Sequence, residues 1–528
     1  AIGYAVHLVL PPAPRWTLQG PFEIIGLTSD SRQFWTIRLN PKDNGGRCGP
    51  LQLRDLATGL VVAEYMKEGP ELIGYKISPS GRFVVGDDER CFYLADGERG
   101  TEHVVPFKME RKEWIDQIKR EAALRGYYAS FSRKEAYVQF DDAILGWSCL
   151  IETATGKVKK EFGGRRLHGF LFDDSYLLVS AGREYVLWNI DEGREETERL
   201  GAFRVGTDYD VSPNDRQMVT YKDETLSEAA LWDLATWRMQ KLPPTPNRNW
   251  GLSFSPSGRW LIDRDSVPDV DRWRIQVYDA RSGNRLGGYE YRKAGGFEVD
   301  LQQFSKDDLH CLTSFQSKTG QCNLEMVQFP EGKQIWTRPV NSATLPLFDF
   351  TADGSILILI ADRIERWNTQ TGEKTGEIWN PKRWTGFYEP KFEPMNWPSF
   401  SKDRRLLCGE IHRTAAAGWW DEWIAKRMPW TIPPGIAFVA DTSDGGFLLQ
   451  VPIGNTDSNA TRLSDDNRTL LLSQTDDVDG RVNTHRAYDI PACPRWAWIV
   501  GVPAGLGGLV LGWRRWRNRK RQTVTAVN

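Results

Sequence analysis

One short pattern recurs along the chain and limits its fold more than any other feature. Residues Leu252 to Tyr291, LSFSPSGRWLIDRDSVPDVDRWRIQVYDARSGNRLGGYEY, carry it in full. Leu252 and Phe254 alternate with polar residues, and Ser-Pro-Ser-Gly then turns the chain. Trp260 and Ile262 resume the alternation, a polar loop intervenes, and Ile275 and Val277 alternate up to Asp279. Arg-Ser-Gly makes a second turn, and Leu286 and Tyr289 lead out. A period of two predicts strands with one face buried. Gly258 and Gly283 suit the positive φ that tight hairpins demand, and Asp279 can hydrogen-bond its own backbone ahead of the turn. The unit is thus four strands joined by tight turns.

Aligned on Ser255, the unit occurs ten times, at Thr28, Ser78, Ser132, Phe172, Ser212, Ser255, Ser305, Thr351, Ser401 and Ser464. The first turns read TSDSRQF, SPSGRFV, SRKEAYV, FDDSYLL, SPNDRQM, SPSGRWL, SKDDLHC, TADGSIL, SKDRRLL and SDDNRTL. Successive copies lie 50, 54, 40, 40, 43, 50, 46, 50 and 63 residues apart. Four strands every 40 to 50 residues is the signature of propeller blades, because a single unit cannot bury its own apolar faces. Copies three, four and seven are the weakest, with neither Pro nor Gly in the first turn.

These turns, with the strands Leu187-Trp188-Asn189-Ile190 and Leu231-Trp232-Asp233-Leu234, resemble the WD40-like β-propeller repeats of divergent bacterial proteins. The resemblance covers most of residues 15–491, without the Gly-His pair of the best-formed WD40 repeat. It implies an all-β propeller of about ten four-stranded repeats, in one large ring or two. Such a motif is informative about fold and nearly silent about function.

The ends of the repeat array complement each other. Arg15 to Gly20, RWTLQG, reads as the last strand of a blade with no blade before it. The tenth copy ends at Arg486-Ala-Tyr-Asp-Ile-Pro without an outgoing strand. The N-terminal strand is therefore expected to complete blade ten, which removes exposed sheet edges. Residues 1–14 precede it as an apolar segment, AIGYAVHLVL, and a Pro-rich spacer. The segment reads as an ordered apolar terminus or as the tail of a membrane or signal segment.

Trp496 to Trp513, WAWIVGVPAGLGGLVLGW, is 18 residues without a charge. At about 1.5 Å per residue it matches the hydrocarbon core, and a transmembrane helix over 495–513 is expected. Trp496, Trp498 and Trp513 stand where interface anchors belong, and Arg514 and Arg515 begin the basic run RRWRNRKR. By the positive-inside rule, 514–528 is a cytoplasmic tail and the propeller is extracytoplasmic. Gly501/Gly505 and Gly508/Gly512 match the G-x-x-x-G face that would support a helix-mediated homodimer. The span also resembles the C-terminal sorting tails of bacterial surface proteins, without their Pro-Glu-Pro lead.

Two insertions stretch the period. Residues 108–126 place Trp114, Ile115, Ile118 and Ala122 on one helical face, for packing on the propeller or for docking a partner. Near the second, at 413–430, seven tryptophans fall within 52 residues, from Trp379 to Trp430. Trp384, Trp397, Trp419, Trp420 and Trp423 are the candidate binding residues, since Trp supplies large contact area at small entropic cost. A helix clamped between blades is the structural alternative, and contact with the membrane interface a third reading.

Chemistry is hard to find. The net charge is −2, with seven basic residues and no acid in 495–528, so the rest carries 61 basic and 70 acidic groups, a balance of −9. That argues against nucleic acid as the main partner, because phosphate binding needs clustered positive charge. No His-Glu-x-x-His, nucleophile elbow, phosphate loop or dinucleotide fingerprint occurs. Asp263–Asp271 and Asp476–Gly480 match no EF-hand spacing and read as solvated turns. The seven cysteines include no C-x-x-C, and Cys311 and Cys322 are candidates to pair across adjacent strands if the compartment is oxidising. No catalytic residue, metal ligand or cofactor site is legible. The expected function is a membrane-anchored scaffold for unidentified protein partners. The alternative is an envelope enzyme or binding protein acting on a glycan or peptide at a channel mouth.

Overall fold

The computed structural model describes residues 12–491 apart from connections at 41–45, 67–70, 73, 89–90, 107–127, 143–146, 182–183, 197–208, 222–228, 244–251, 268–271, 293–301, 317–320, 341–345, 361–362, 380–398, 413–434, 454–458 and 476–482. The expected helices over 108–126 and 413–430 and the span over 495–513 lie outside these residues. Among the described residues no helix is long and apolar enough to cross a membrane.

The protein is an all-β chain of ten four-stranded antiparallel blades of β-propeller type. Copies three, four and seven form full blades like the rest. Two compact units divide them: residues 21–379 hold blades one to eight, and residues 1–20 with 380–528 hold blades nine and ten. In the second unit the N-terminal strand Trp16–Gly20 completes blade ten as expected. It pairs antiparallel with Asn483–Asp489, from Trp16 opposite Ala487 to Gly20 opposite Asn483. Arg15 N donates to Ala487 O at 2.6 Å, and its guanidinium pairs with Asp489.

The alternation in blade six means something other than one buried face. Leu261 and Asp263 are as buried as Trp260 and Ile262. A blade is sandwiched between two neighbours, so both of its faces meet protein. Leu261 packs with Tyr221, Leu231 and Leu242 of blade five. Trp260 and Ile262 pack with Cys311, Val327 and Phe329 of blade seven. Each seam from blade one to blade eight carries such a cluster, as does the seam between blades nine and ten. A fully buried Leu, Ile or Phe contributes roughly 1.5–3 kcal/mol relative to exposure, so the seams are the main source of cohesion. Tryptophans tie them: Trp35 Nε1 of blade one donates to Gly81 O in the turn of blade two at 2.7 Å, and Trp336 Nε1 of blade seven to Thr369 O of blade eight at 2.8 Å.

Cys311 and Cys322 do not pair. Register puts Cys311 opposite Val327 and Cys322 opposite Gln316, at opposite ends of one strand pair. Both are buried thiols outside any disulfide, and burial pushes Cys311 up to about 12.

Candidate interaction surfaces at the two ends of the blades

Strands alternate in direction, so every blade has a turn end and a loop end. The first turn, which carries the Ser or Thr, and the second, which carries the Gly, both close the turn end. The connection from second to third strand and the linker to the next blade leave from the loop end. Every internal connection outside the described residues belongs to the loop end, whereas all the tight turns are described.

The turn end explains the repeated residue types. In blade six, Ser255 N donates to Trp260 O, Gly258 N to Ser255 O, and Trp260 N to Ser255 Oγ. The same side-chain closure occurs at Thr28, Ser78, Ser132, Ser212, Ser305, Ser401 and Ser464. An Asp two residues further on accepts from that hydroxyl at Thr28–Asp30, Ser305–Asp307, Thr351–Asp353 and Ser401–Asp403. Partial burial alone would raise these four carboxyls. Hydrogen bonds from hydroxyl and backbone N–H outweigh it and hold them below the usual range. At the second turn, Asp279 accepts from Arg281 N and Ser282 N, and Gly283 has φ 65°.

The third residue after the Ser or Thr sits in the left-handed region. It is Gly81, Gly258 or Gly354 in blades two, six and eight, but Glu135 in blade three and Asp308 in blade seven. Those two carboxylates reach the preceding blade. Glu135 accepts from Ser80 N and Ser80 Oγ. Asp308, fully buried, accepts from Ser255 Oγ, Ser257 Oγ and Ser257 N. In blade four, whose turn is one residue shorter, Asp174 accepts from Arg133 N at 2.7 Å and Lys134 N at 2.6 Å. Arg133 also passes over blade four to blade five, pairing with Asp215 at 3.3 Å and donating to Pro213 O at 2.6 Å. Burial raises Asp215, the Arg133 charge opposes this, and Asp174 and Asp173 add to it. The three copies weakest by sequence therefore place a carboxylate where it clasps the neighbouring blade. In blades nine and ten, Asn467 Nδ2 donates to Asp403 at 3.0 Å and Lys402 lies 3.5 Å from Asp465.

The loop end carries the insertions. Strand two of blade nine ends at His412, opposite Gly435, the first residue of strand three. Residues 413–434, with Trp419, Trp420 and Trp423, are attached there. Residues 380–398, with Trp384 and Trp397, lead into Ser399, which pairs with Cys408 part-way along the same second strand. All five tryptophans lie outside the described residues, as do Trp496, Trp498, Trp513, Arg514 and Arg515. The topology connects both tryptophan-bearing segments to one blade, each leading into a strand that runs toward its turn end.

A further cluster escaped sequence reasoning. His168 is the extra residue of a bulge in the first strand of blade four (Arg166–Leu171), between the pairs Leu167–Val179 and Gly169–Leu178. Its ring lies 4.8 Å from Tyr185 and 6.0 Å from Tyr209, and Tyr209 OH donates to His168 O at 2.8 Å. Burial, reinforced by Arg166, pushes His168 down to about 4, so the ring is neutral at physiological pH. The irregular register, set by tertiary packing, left no local signal. Among the described residues no three His, Cys, Asp or Glu side chains are placed to hold a metal ion.

No family model and no curated protein matches the chain. Among solved structures it is similar to a eukaryotic initiation factor, with a TM-score of 0.47 and 12% identity over 90% of this chain and 95% of that one. It is also similar to the dihydro-heme d1 dehydrogenase NirN in complex with DHE, with a TM-score of 0.35 and 14% identity over 70% of this chain and 75% of that one. These likenesses bear on neither activity nor partner. The class of protein is defined by the chain's own ten blades.

Proposed function

We propose that the protein is a membrane-anchored, extracytoplasmic β-propeller that acts as an interaction scaffold, with the tryptophan-rich segments of blade nine as its main partner surface. One observation carries the reading: residues 380–398 and 413–434 both lead into strands of blade nine, the first and the third. A partner that engages blade nine would have both segments next to it in the chain, and clustered aromatic anchors supply most of the binding energy in protein interfaces. The anchor is supported by the uncharged stretch Trp496–Trp513 and the basic run from Arg514, which together orient a span with its tail in the cytoplasm.

Crosslinking mass spectrometry on native membranes, with this chain as bait, tests the scaffold. The expected result is one protein crosslinked repeatedly to residues 384–430. If no protein rises above background, the scaffold reading loses its main consequence, and glycan and peptide screens against the intact chain take its place.

A further inference from the structure

The route of the chain through blade ten fixes which end of the two-blade unit lies beside the C-terminal segment. The last strand, Asn483–Asp489, runs toward the turn end, because Asp489 pairs with Thr469, the first residue after the turn Ser464–Arg468. Ile490 N is tied to Arg468 O at that end. The N-terminal strand starts there too, with Arg15 joined to Ala487 and Asp489. The described chain thus enters and leaves blade ten at its turn end, next in sequence to the apolar stretches 1–10 and 496–513. Blade nine stands in the same sense, because the first turns of the two blades contact one another through Asn467–Asp403 and Lys402–Asp465.

We infer that a lipid headgroup surface lies against the turn end of blades nine and ten, so that the tryptophan-rich segments face away from the membrane. This rests on the anchor reading above and adds the orientation. From Pro491 to Trp496 there are five residue steps, at most about 18 Å of chain. The loop end of blade nine lies beyond the length of its second strand, Leu406–His412, which is 7 residues, or about 20 Å at roughly 3.3 Å per residue. The face turned to lipid carries Lys402 and Arg405, whose side chains are 79% and 78% exposed, with Arg468 also exposed and Asp403, Asp465 and Asp466 interspersed. Such a surface suits a hydrated headgroup layer rather than the hydrocarbon interior. The tryptophans of blade nine are then left for a partner in the aqueous phase, and their contact with the bilayer interface is disfavoured.

The test uses the full chain in liposomes of phosphatidylcholine and phosphatidylglycerol, doped with a phosphatidylethanolamine whose headgroup carries a diazirine. Flotation first establishes membrane attachment. Photolysis and peptide mapping then read the orientation. The expected crosslinks fall on 401–405, 442–446 and 464–468, with residues 407–412, 435–437 and 459–461 several-fold lower. Crosslinks concentrated on 413–434, or spread equally over both ends, overturn the orientation and leave the anchor standing. A chain that does not float overturns the anchor reading and the orientation with it.

Discussion

Blades six and seven solve one backbone problem in two ways. Both turns need a residue in the left-handed region. Blade six uses Gly258, with φ 75°, and blade seven uses Asp308, with φ 61°. An L-residue with a side chain costs roughly 1–2 kcal/mol there, and Asp is among the types that tolerate it best. Asp308 offsets that cost by accepting three hydrogen bonds from the serines of blade six. Blades two and three repeat the arrangement with Gly81 and Glu135. The lesson is that Ser-Pro-Ser-Gly-Arg is half of a device. Its second serine presents N–H and O–H groups to the next blade, and the next blade loses its own glycine to meet them.

The glycine side of the comparison breaks hardest. A Cβ at Gly81 would lie 2.3 Å from Leu27 O and 2.5 Å from Thr28 Cα, both backbone atoms of blade one. A Cβ at Gly354, at φ 80°, would meet nothing within 4 Å. Gly81→Ala is therefore expected to cost about 4 kcal/mol, from backbone strain and a displaced seam. Gly354→Ala is expected to cost only about 1 kcal/mol, the conformational term alone. Denaturant midpoints of the two variants check this. Equal losses would mean that conformation, not close approach, dominates at Gly81.

The carboxylate side should break less, and in a diagnostic order. Asp308→Ala strands the buried Ser255 hydroxyl, frees the exposed Ser257 O–H and N–H to water, and is expected to cost about 2 kcal/mol. Asp308→Gly loses the same bonds but relieves the left-handed strain, and should be about 1 kcal/mol milder. The readout is amide hydrogen exchange at Ser257, which should accelerate in both variants while amides in blades two and three stay unchanged. If Gly proves no milder than Ala, the strain account of this turn is wrong.

Much of this architecture is legible in residue order. The ten copies and the strand from Trp16 that completes blade ten follow from spacing, from an orphan strand at one end of the array and from a last copy without its outgoing strand at the other. The clasps were not legible, because they join residues 40 to 55 positions apart and stand where a repeat search looks for glycine. Reading the absence of Gly as weakness in copies three, four and seven inverted its meaning. Burial of both strand faces was missed for a related reason: Asp263 looks like a solvent residue until a second blade covers it. The pairing of Cys311 with Cys322 failed because adjacency of strands says nothing about register. The tryptophan-rich segments were found by composition, and only the topology showed that both connect to strands of blade nine.

The smallest effects are those of pH, and they separate the turn ends from the strand interior. The carboxyls of Asp30, Asp307, Asp353 and Asp403 are held below 3.8 in the fold. Their stabilisation is complete above that value and is lost as pH falls through the lower folded values. His168 is also depressed, from 6.5 to about 4. Above 6.5 it is neutral in both states. Between 6.5 and about 4 the unfolded chain takes up a proton that the fold refuses, so stability falls as pH falls. The two classes thus act in adjacent windows, the histidine first and the turn carboxylates below it. His168→Phe, which retains a ring against Tyr185 and Tyr209, is expected to make the upper window shallower, leaving the share of His310, which burial also depresses, and to leave the lower window unchanged. Denaturant midpoints measured from pH 7 to pH 3 check this. An upper window undiminished in His168→Phe would assign it to other groups.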